Sequence, residues 1–368
     1  MSTLRVTAEP LTILEHPNAD RLELAQVGLY RAIVGKGQFE TGDYAVYIPE
    51  QAVLPPELIE ELGLTGRLAG PGKDRVKAVR LRGELSQGIV CLPTVMADVD
   101  LKYAHAEELD FAELLGITKW VPPVPVGMSG TVEAAPGLMP WIDIENIKRY
   151  PDVFITGEPV EASEKLHGSC LMLTADADTG ATYVSSKGVG SRSLSLVEDP
   201  TNLYWRAVHQ HGVAAAAAWL CGLLSARRVG LFGEVYGKGV QDLHYGCDAT
   251  RDETIGYALF DISVMDKSGE VRWLPGSEID ELLRAVALNE TGPQIGIPRA
   301  PLLYQGPYDY EVLAALAEGR SLLDPDTIRE GLVVRPAVER RSELLGGRAI
   351  AKFISPGYLT RKGGTEFE

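Results

Sequence analysis

The chain has 368 residues, a net charge of −16 at pH 7 and a hydrophobic content of 45%. This length predicts two domains, and the composition is typical of a globular protein with sizeable cores. There is no run of 18 apolar residues and no apolar signal-peptide core at the N-terminus, so we expect no membrane partner. The four cysteines form no CxxC pair, which argues against a zinc site or disulfide scaffold and favours a cytoplasmic location.

Positive charge is concentrated in two segments of this acidic chain. Residues 67–82 contain six basic residues and one acidic residue, and residues 335–362 contain seven basic and two acidic residues. The acidic total disfavours a nucleic-acid partner, because phosphate binding requires positive charge. The two basic segments are nevertheless compatible with a nucleic-acid substrate, although an ordinary solvated surface explains each of them equally well.

Residues 1–95 are predicted to form a small β-barrel, with an OB-fold favoured, because several short strands are separated by glycines. A helix or loop is expected between these strands at residues 55–62. The strand candidates are residues 22–27, 44–48, 76–81 and 88–92. Residues 16–22 resemble the entry loop of tRNA-binding OB domains attached to some aminoacyl-tRNA synthetases. The same residues also fit a plain turn before a strand.

Residues 96–150 are predicted to be a linker. Residues 97–117 are acidic and helix-like, and the prolines within residues 119–125 suit a semi-rigid spacer. From residue 151 to the end, strand-like segments alternate with helices. The helices predicted most clearly are residues 201–224 and 278–287. We therefore expect an α+β protein whose second domain is larger than its first.

Five segments of the second region carry side chains suited to nucleotide transfer. In the first, residues 159–163 are predicted to be a strand that leads to Glu164 and Lys165, with His167 and Gly168 directly behind them. The other four are residues 185–188, residues 231–239 with 257–262, residues 329–336 and residues 349–353.

Lys165 is the candidate nucleophile. A lysine attacks only when it is uncharged, whereas its reference pKa is about 10.4. Burial, neighbouring cations and a metal ion all lower the pKa of a lysine. Lys187 and Lys352 are the candidate cations, and both can also hold phosphates and stabilise charge that develops on a transferring phosphorus.

Two carboxylates and one aromatic ring complete the pattern. Glu234 and Glu330 lie at the edges of apolar runs, where a carboxylate suits a ribose hydroxyl or a hydrated Mg²⁺ ion. Phe260 can stack on a purine base. Taken singly, Phe260 fits a core position, Glu330 a turn that enters a strand, and Glu234 an edge strand. The joint order of the five segments is much harder to obtain by chance.

This set of motifs resembles the covalent nucleotidyltransferase superfamily of polynucleotide ligases and mRNA capping enzymes. Lys-x-His-Gly in the first motif is similar to the RNA ligase branch that includes RNA ligase 2. With the OB-like region and residues 116–119 and 237–242, the chain looks like an ATP-dependent RNA ligase of the Deinococcus/Naegleria type. The resemblance implies an OB-fold at 1–95, a linker at 96–150 and an ATP-grasp-like nucleotidyltransferase domain with antiparallel sheets at 151–368.

The resemblance also implies an activity. Lys165 attacks the α-phosphate of ATP to form lysyl-AMP, AMP moves to a 5′-phosphate to give AppN, and a 3′-OH then seals the strand. The expected partner is RNA, or an RNA/DNA duplex, with 3′-OH and 5′-phosphate ends, and repair at duplex nicks is the expected task. The alternatives are a non-catalytic RNA-binding protein with a degenerate nucleotidyltransferase domain, a DNA ligase and a capping-type nucleotidyltransferase.

The other motif residues are implied to bind ATP or a metal ion. Those expected to contact the nucleotide are Glu164 at the adenine edge, His167, Gly168, Lys187, Glu234 at the ribose, Phe260 stacked on adenine and Lys352 at the α-phosphate. The metal ion, Mg²⁺ or Mn²⁺, is expected to be held by Glu330 through water and by Glu234.

The chain departs from the family pattern at two positions. Cys170 stands where related ligases often have Asn, so a polar contact to the substrate is missing or moved. Ile350 stands where several relatives have a lysine, and Arg348 is the candidate to replace it. Neither change affects Lys165 or Glu330, so we expect an active enzyme.

Overall fold

The computed structural model describes residues 4–121, 124, 126–250, 254–289, 295–362 and 364. These residues form two compact units, the first made of residues up to 121 with residues 359–362 and the second of residues 124–358. The prolines at positions 122, 123 and 125 of the predicted linker lie outside the described residues. Within the described ranges, no helix is long and apolar enough to cross a membrane.

Short strands make up most of the first unit. Its strands are β1 (Thr7–Pro10), β2 (Thr12–Glu15), β3 (Leu22–Val27), β4 (Tyr30–Gly35), β5 (Tyr44–Ile48), β6 (Ala52–Val53), β7 (Val79–Leu81), β8 (Glu84–Ser86), β9 (Ile89–Cys91) and β10 (Thr118–Lys119). Its helices are α1 (Pro56–Glu61) and α2 (Leu101–Ala106). Strands β1, β5 and β9 form one antiparallel sheet, and β2, β3 and β4 form another.

Strand β5 lies in the middle of its sheet and is buried on both faces. Ala45 and Tyr47 belong to one hydrophobic core, whereas Val46 and Ile48 belong to another. Successive side chains of a strand point to opposite faces, so an unbroken apolar run is what a strand between two cores requires. The strand predicted at residues 44–48 is therefore confirmed.

The strand predicted at residues 76–81 is confirmed only in its second half, as β7. Val76 instead exchanges backbone hydrogen bonds with residues of another segment, since its amide donates to the carbonyl of Ala52 and its carbonyl accepts from the amide of Gln51. The pairing partner therefore changes along the segment. Sequence periodicity does not report such a change.

Residues 96–121, part of the predicted linker, pack in the first unit. Within residues 97–117 the α-helical part is α2, whose N-terminus is capped by Asp100 through a 3.0 Å hydrogen bond from the amide of Tyr103. Phe111 and Ile117 are buried in the same core as β5. The domain boundaries at residues 95 and 150 stay predictions.

The second unit contains the longer strands. Its strands are β11 (Val132–Ala134), β12 (Glu145–Asn146), β13 (Pro159–Lys165), β14 (Ser169–Asp176), β15 (Thr182–Ser186), β16 (Leu194–Leu196), β17 (Arg228–Tyr236), β18 (Gly256–Met265), β19 (Val271–Trp273), β20 (Leu302–Pro307), β21 (Gly331–Pro336), β22 (Arg341–Ser342), β23 (Gly347–Arg348) and β24 (Ala351–Ile354). The helices that begin in it are α3 (Lys187–Gly190), α4 (Leu203–Gln210), α5 (Val213–Leu223), α6 (Gly276–Ala287), α7 (Tyr310–Ala317) and α8 (Pro356–Leu359).

Two five-stranded sheets organise this unit. Sheet 1 has the strand order β12-β24-β21-β13-β20, and sheet 2 has the order β15-β14-β17-β18-β19. Neighbouring strands are antiparallel in both sheets, apart from the parallel pair β12 and β24. The predicted α+β class with antiparallel sheets is therefore confirmed, and β13, predicted as the strand leading to Lys165, lies inside sheet 1.

Helices cover one face of each sheet. Helices α4, α5 and α6 share the largest hydrophobic core with sheet 2, and α7 packs with sheet 1. The single helix predicted at residues 201–224 is wrong, because the chain turns at Gly212, where φ is +63°, and α4 and α5 are separate helices. Periodicity alone does not show this break, because both helices bury residues against the same core.

A buried network of ion pairs joins the two sheets. Arg335 of β21 contacts Glu161 of β13 in sheet 1, and its Nη1 lies 3.1 Å from Oδ1 of Asp261, which belongs to β18 in sheet 2. Arg348 contacts both Asp261 and Glu339. Asp261 is 1% exposed and accepts hydrogen bonds from both guanidinium groups. Removing one partner would leave buried charges without compensation, which is strongly destabilising.

We predict that Asp261→Ala lowers the free energy of unfolding by about 3–5 kcal/mol, because two buried guanidinium groups lose their common carboxylate. Chemical denaturation of the purified protein measures this change. Asp178→Ala is the matched control, since Asp178 pairs with Arg227 at 2.8 Å on the surface and should contribute about 1 kcal/mol or less. Equal effects of the two substitutions would contradict a structural role for the network.

Candidate active site

The register of two strands brings Lys165 beside a carboxylate. Lys165 is the last residue of β13 and pairs with Gly331, the first residue of β21, so that Glu330 directly precedes its partner. The Nζ atom of Lys165 lies 2.7 Å from Oε1 of Glu330. The lysine side chain is 25% exposed, whereas Glu330 is buried. The predicted nucleophile and the predicted metal-binding carboxylate therefore meet.

Glu164 points to the other side of β13. One of its carboxylate oxygens, Oε2, accepts a 2.9 Å hydrogen bond from the amide of Leu322. The second oxygen, Oε1, is buried and has no hydrogen-bond partner among the described residues. Buried polar atoms are usually paired, so this oxygen is suited to accept a hydrogen bond from a ligand such as a base edge.

Gly168 allows sheet 2 to approach the first motif. Cys170 of β14 pairs with Glu234 of β17, and Gly168 precedes β14 at the same edge. A Cβ atom at position 168 would lie 2.1 Å from the carbonyl oxygen of Val235 and 3.0 Å from Cγ of Glu234. No side chain fits in this space, so the glycine of the first motif sets how close Glu234 comes to it.

Two further lysines lie close enough to Lys165 to influence one another's ionisation. Lys187 follows β15 and forms an ion pair with Asp143. Lys352 lies on β24, opposite Val333 of β21. Burial, and then the charges of Lys165 and Lys187, lower the pKa of Lys352 to about 8. Burial is also the main cause of the lowered pKa of Lys187.

Glu234 is a carboxyl group whose ionisation is displaced in the opposite direction. Burial is the main cause that raises its pKa to about 8, the charge of Lys165 opposes this increase, and the charge of Glu330 adds to it. A carboxyl group with a pKa of about 8 is mostly protonated at neutral pH, so it can donate as well as accept a hydrogen bond. Glu234 is therefore suited to pair with a ribose hydroxyl.

Phe260 occupies a bulge between β17 and β18. The pairing register shifts there, because Phe232 pairs with Asp261 and Gly233 pairs with Leu259. A bulge re-aims the side chain of its extra residue. The ring of Phe260 is only partly buried and meets Trp141 edge to face, with 5.5 Å between ring centroids. This placement leaves part of the ring available for stacking.

The structure also settles the two departures from the family pattern. Cys170 packs in an apolar cluster with Met172 and Phe232, and burial raises the pKa of its thiol, so it is not a polar ligand contact. Arg348 is 7% exposed, is paired with Asp261 and lies over the ring of Trp273 at 4.2 Å. The interpretation of Arg348 as a replacement for the missing lysine is therefore wrong.

Several site residues were not predicted from the sequence. The ring of His167 contacts Asp242 and Tyr358, which follow β17 and β24 along the chain. Asp143 pairs with Lys187, and Trp141 packs against Phe260. Asp242 belongs to residues 237–242, which carry part of the family resemblance, but no sequence pattern marks the others. Side chains from separate segments meet here only through tertiary packing.

The carboxylates do not form a ready-made metal cage. Across the described ranges, no group of three or more His, Cys, Asp or Glu side chains is arranged to bind a metal ion directly. Oε2 of Glu330 is buried and accepts no hydrogen bond within the described part of the chain. An oxygen of this kind suits a divalent cation, which commonly keeps several waters and uses one or two carboxylates.

We predict that Gly168→Ala lowers the free energy of unfolding by about 1–3 kcal/mol, because the new Cβ clashes with the carbonyl of Val235. Chemical denaturation measures this loss. Gly188→Ala is the matched control, since a Cβ at position 188 meets no atom within 4 Å and should change stability by about 0.5 kcal/mol or less. An unchanged stability of Gly168→Ala would contradict the close approach.

Known proteins resemble this chain in sequence and in fold. Residues 158–354 match the RNA ligase family model, and residues 6–94 match a model of an OB-fold domain. A mutant of Naegleria gruberi RNA ligase with AMP and Mn is 25% identical, with a TM-score of 0.76 over 96% of this chain and 97% of that chain. The same ligase with PPi has a TM-score of 0.75 and 25% identity, over 97% of this chain and 98% of that chain. The comparison with curated proteins gave no significant match.

These matches confirm the predicted OB-fold in the N-terminal region and the predicted type of protein. The family model covers more than half of the chain, and it includes Lys165, Glu234, Glu330 and Lys352. The chain belongs to the RNA ligase family.

Proposed function

We propose that this ligase seals RNA through a covalent AMP on Lys165. The observation that carries the proposal is the 2.7 Å pair between Nζ of Lys165 and the buried Glu330, with Lys187 and Lys352 in the same site. ATP and a divalent metal ion are the cofactors, since the matching ligase structures contain ATP, AMP or PPi and Mn.

In the first step, Nζ of Lys165 attacks the α-phosphorus of ATP, the bond from that phosphorus to the bridging oxygen of the β-phosphate breaks, and pyrophosphate leaves. The lysine must lose a proton before it attacks. Lys187 and Lys352 favour this loss, because each positive charge disfavours another ammonium nearby. Both lysines also offset the charge that develops on the transferring phosphate.

The remaining motif residues suit the base and the sugar. We assign Glu164, with its unpartnered Oε1, to the adenine edge and Phe260, with its partly exposed ring, to stacking on adenine. We assign Glu234 to the ribose, or to a metal ion when ionised. Gly168 keeps these groups close, because its lack of a side chain allows the start of β14 to approach the end of β17.

The residues present also fit a divalent cation. Glu330 has one oxygen on Lys165 and a second buried oxygen that accepts no hydrogen bond from the described residues. We therefore assign Glu330 to a Mg²⁺ or Mn²⁺ ion through water, with Glu234 as a second candidate carboxylate. A bound cation neutralises negative charge on the phosphates.

The substrate is RNA, and we propose that its ends are a 3′-OH and a 5′-phosphate held at a nick in an RNA or RNA/DNA duplex. AMP passes from Lys165 to the 5′-phosphate, which gives AppN, and attack of the 3′-OH then releases AMP and forms the phosphodiester. The basic segment at residues 67–82 supports a polyanionic substrate on this otherwise acidic chain. The segment at residues 335–362 supports it less, because Arg335 and Arg348 are buried in ion pairs.

We predict that incubation with Mg²⁺ and ATP labelled at its α-phosphate places one label on Lys165. Lys165→Ala should abolish the label, because the substitution removes the proposed nucleophile, while sealing of a pre-adenylated RNA nick is partly retained. Gel autoradiography and peptide mass spectrometry measure the label, and a denaturing gel measures sealing.

Lys267→Ala is the matched control, since Lys267 lies in an exposed surface turn and the variant should label normally. An unlabelled wild-type protein would overturn the proposal and favour a non-catalytic RNA-binding protein. Equal loss of adenylation and of sealing in Lys165→Ala would show instead that the lysine has a structural role.

We predict that ATP binding takes up protons above pH 8. In the ligand-free protein the pKa of Lys352 is about 8, so above that pH much of the lysine is neutral. Phosphates beside the ammonium raise its pKa, so binding at pH 9 should take up about 0.5 proton or more. Isothermal titration calorimetry without metal, in buffers of different ionisation enthalpy, measures this uptake.

Lys352→Arg is the control for this uptake, because a guanidinium stays charged throughout this pH range. Fewer protons should be taken up on ATP binding at pH 9 in this variant. Any protons that are still taken up are bound by other groups such as Glu234. The same uptake in Lys352→Arg and in the wild type would show that Lys352 does not face the phosphates.

A further inference from the structure

The ring of His167 is held from two sides. Its Nε2 lies 2.6 Å from Oδ1 of Asp242, and its Nδ1 lies 2.9 Å from the hydroxyl of Tyr358. The rings of His167 and Tyr358 meet edge to face, and both residues are buried. The backbone amide of His167 also donates to the hydroxyl of Tyr245 at 2.8 Å. His167 therefore has little freedom to turn.

The partners of the ring determine where its proton lies. An ionised carboxylate only accepts hydrogen bonds, so Nε2 carries the proton that faces Asp242. On a neutral imidazole, Nδ1 is then an acceptor, and the hydroxyl of Tyr358 donates to it. This arrangement satisfies both nitrogens without a proton on Nδ1.

The same ring lies next to the carboxylate that contacts Lys165. Nδ1 of His167 is 3.9 Å from Oε2 of Glu330, which is beyond hydrogen-bond distance. That oxygen is buried and accepts no hydrogen bond from the described residues. If Nδ1 carried a proton, Oε2 would be its strongest acceptor. The 3.9 Å separation between Nδ1 and Oε2 of Glu330 is therefore explained by Nδ1 accepting a hydrogen bond from the hydroxyl of Tyr358.

We propose that Asp242 and Tyr358 are positioning residues that hold His167 as its Nε2–H tautomer, so that Oε2 of Glu330 stays open to a divalent cation. The inference rests on the proposed function only where it assigns the cation. Without the Tyr358 hydroxyl, the ring can place a proton on Nδ1 and bind Glu330 itself, in competition with the metal. Glu330 would then be held in an ion pair or hydrogen bond that excludes the cation.

The tautomer is measured by ¹⁵N NMR on metal-free protein labelled in its histidines. The chain has six histidines, and the spectrum of His167→Gln identifies the signals of residue 167. We expect the wild type to show a protonated Nε2 and an unprotonated Nδ1 at His167. We expect Tyr358→Phe and Asp242→Asn to shift this pattern toward a proton on Nδ1. A wild-type Nδ1–H or imidazolium pattern, or an unchanged pattern in both variants, would overturn the inference.

Metal affinity is the second measurement. Mn²⁺ is titrated into protein saturated with AMP, which undergoes no transfer, and the free ion is followed by electron paramagnetic resonance. Loss of a residue that orients a metal-binding group typically weakens metal affinity by about 10-fold to 100-fold, which is the change we expect for Tyr358→Phe and Asp242→Asn. Using two variants keeps the test valid if one of them fails to fold.

Tyr304→Phe is the matched control, because it also removes one tyrosine hydroxyl with a hydrogen bond, here to the carbonyl of Pro307 outside the His167 contacts. Its Mn²⁺ affinity should equal that of the wild type. Unchanged Mn²⁺ affinity in both Tyr358→Phe and Asp242→Asn would contradict the positioning role, even if Lys165 is labelled by ATP. An unlabelled Lys165 with the expected tautomer and affinities would instead remove the proposed function and leave the positioning role standing.

Discussion

The active site depends on the register in which β13 pairs with β21. Because Lys165 lies opposite Gly331, the residue before Gly331 is placed beside the lysine ammonium, and that residue is Glu330. The register is itself restricted, since φ at Gly331 is +155° and a Cβ there would lie 1.9 Å from the carbonyl oxygen of Phe353 in β24. A slip of one residue would move Lys165 to the opposite face and separate it from Glu330.

Burial shifts the pKa values of two residues of the site. It moves the pKa of Lys352 down and the pKa of Glu234 up, both to about 8, so each group is displaced toward its neutral form. The ligand-free site therefore holds less charge than its residue types suggest. With the assignments proposed above, an anionic ligand would favour the charged form of Lys352, and a cation would favour the charged form of Glu234. Binding of nucleotide and of metal would then be coupled to the uptake or release of protons.

The sequence predicted those parts of the site that follow from local pattern. The strand leading to Lys165, the glycine behind it and the carboxylate of Glu330 were all identified, because a strand, a close backbone approach and the entry to an apolar run each leave a local signal. Tyr358, one of the two partners of His167, left no such signal, and nothing in residues 237–242 indicated that Asp242 contacts His167. Asp242 and Tyr358 lie 75 and 191 residues from His167 in the chain and meet it only through tertiary packing.

The same reasoning explains why Arg348 was misassigned and what its network does. Its charge suggested a phosphate contact, whereas in the fold it pairs with Asp261, the neighbour of Phe260. Arg335 connects Asp261 to Glu161, which lies four residues before Lys165 and on the same face of β13. The network therefore connects the strand of the predicted nucleophile to the strand of the predicted base-stacking ring. Apolar residues of similar volume would pack there at similar or greater stability, but they would not fix one register through paired charges. Because the predicted nucleophile and the predicted base-stacking ring lie on different sheets, a fixed arrangement of the two strands matters more for this site than additional stability does.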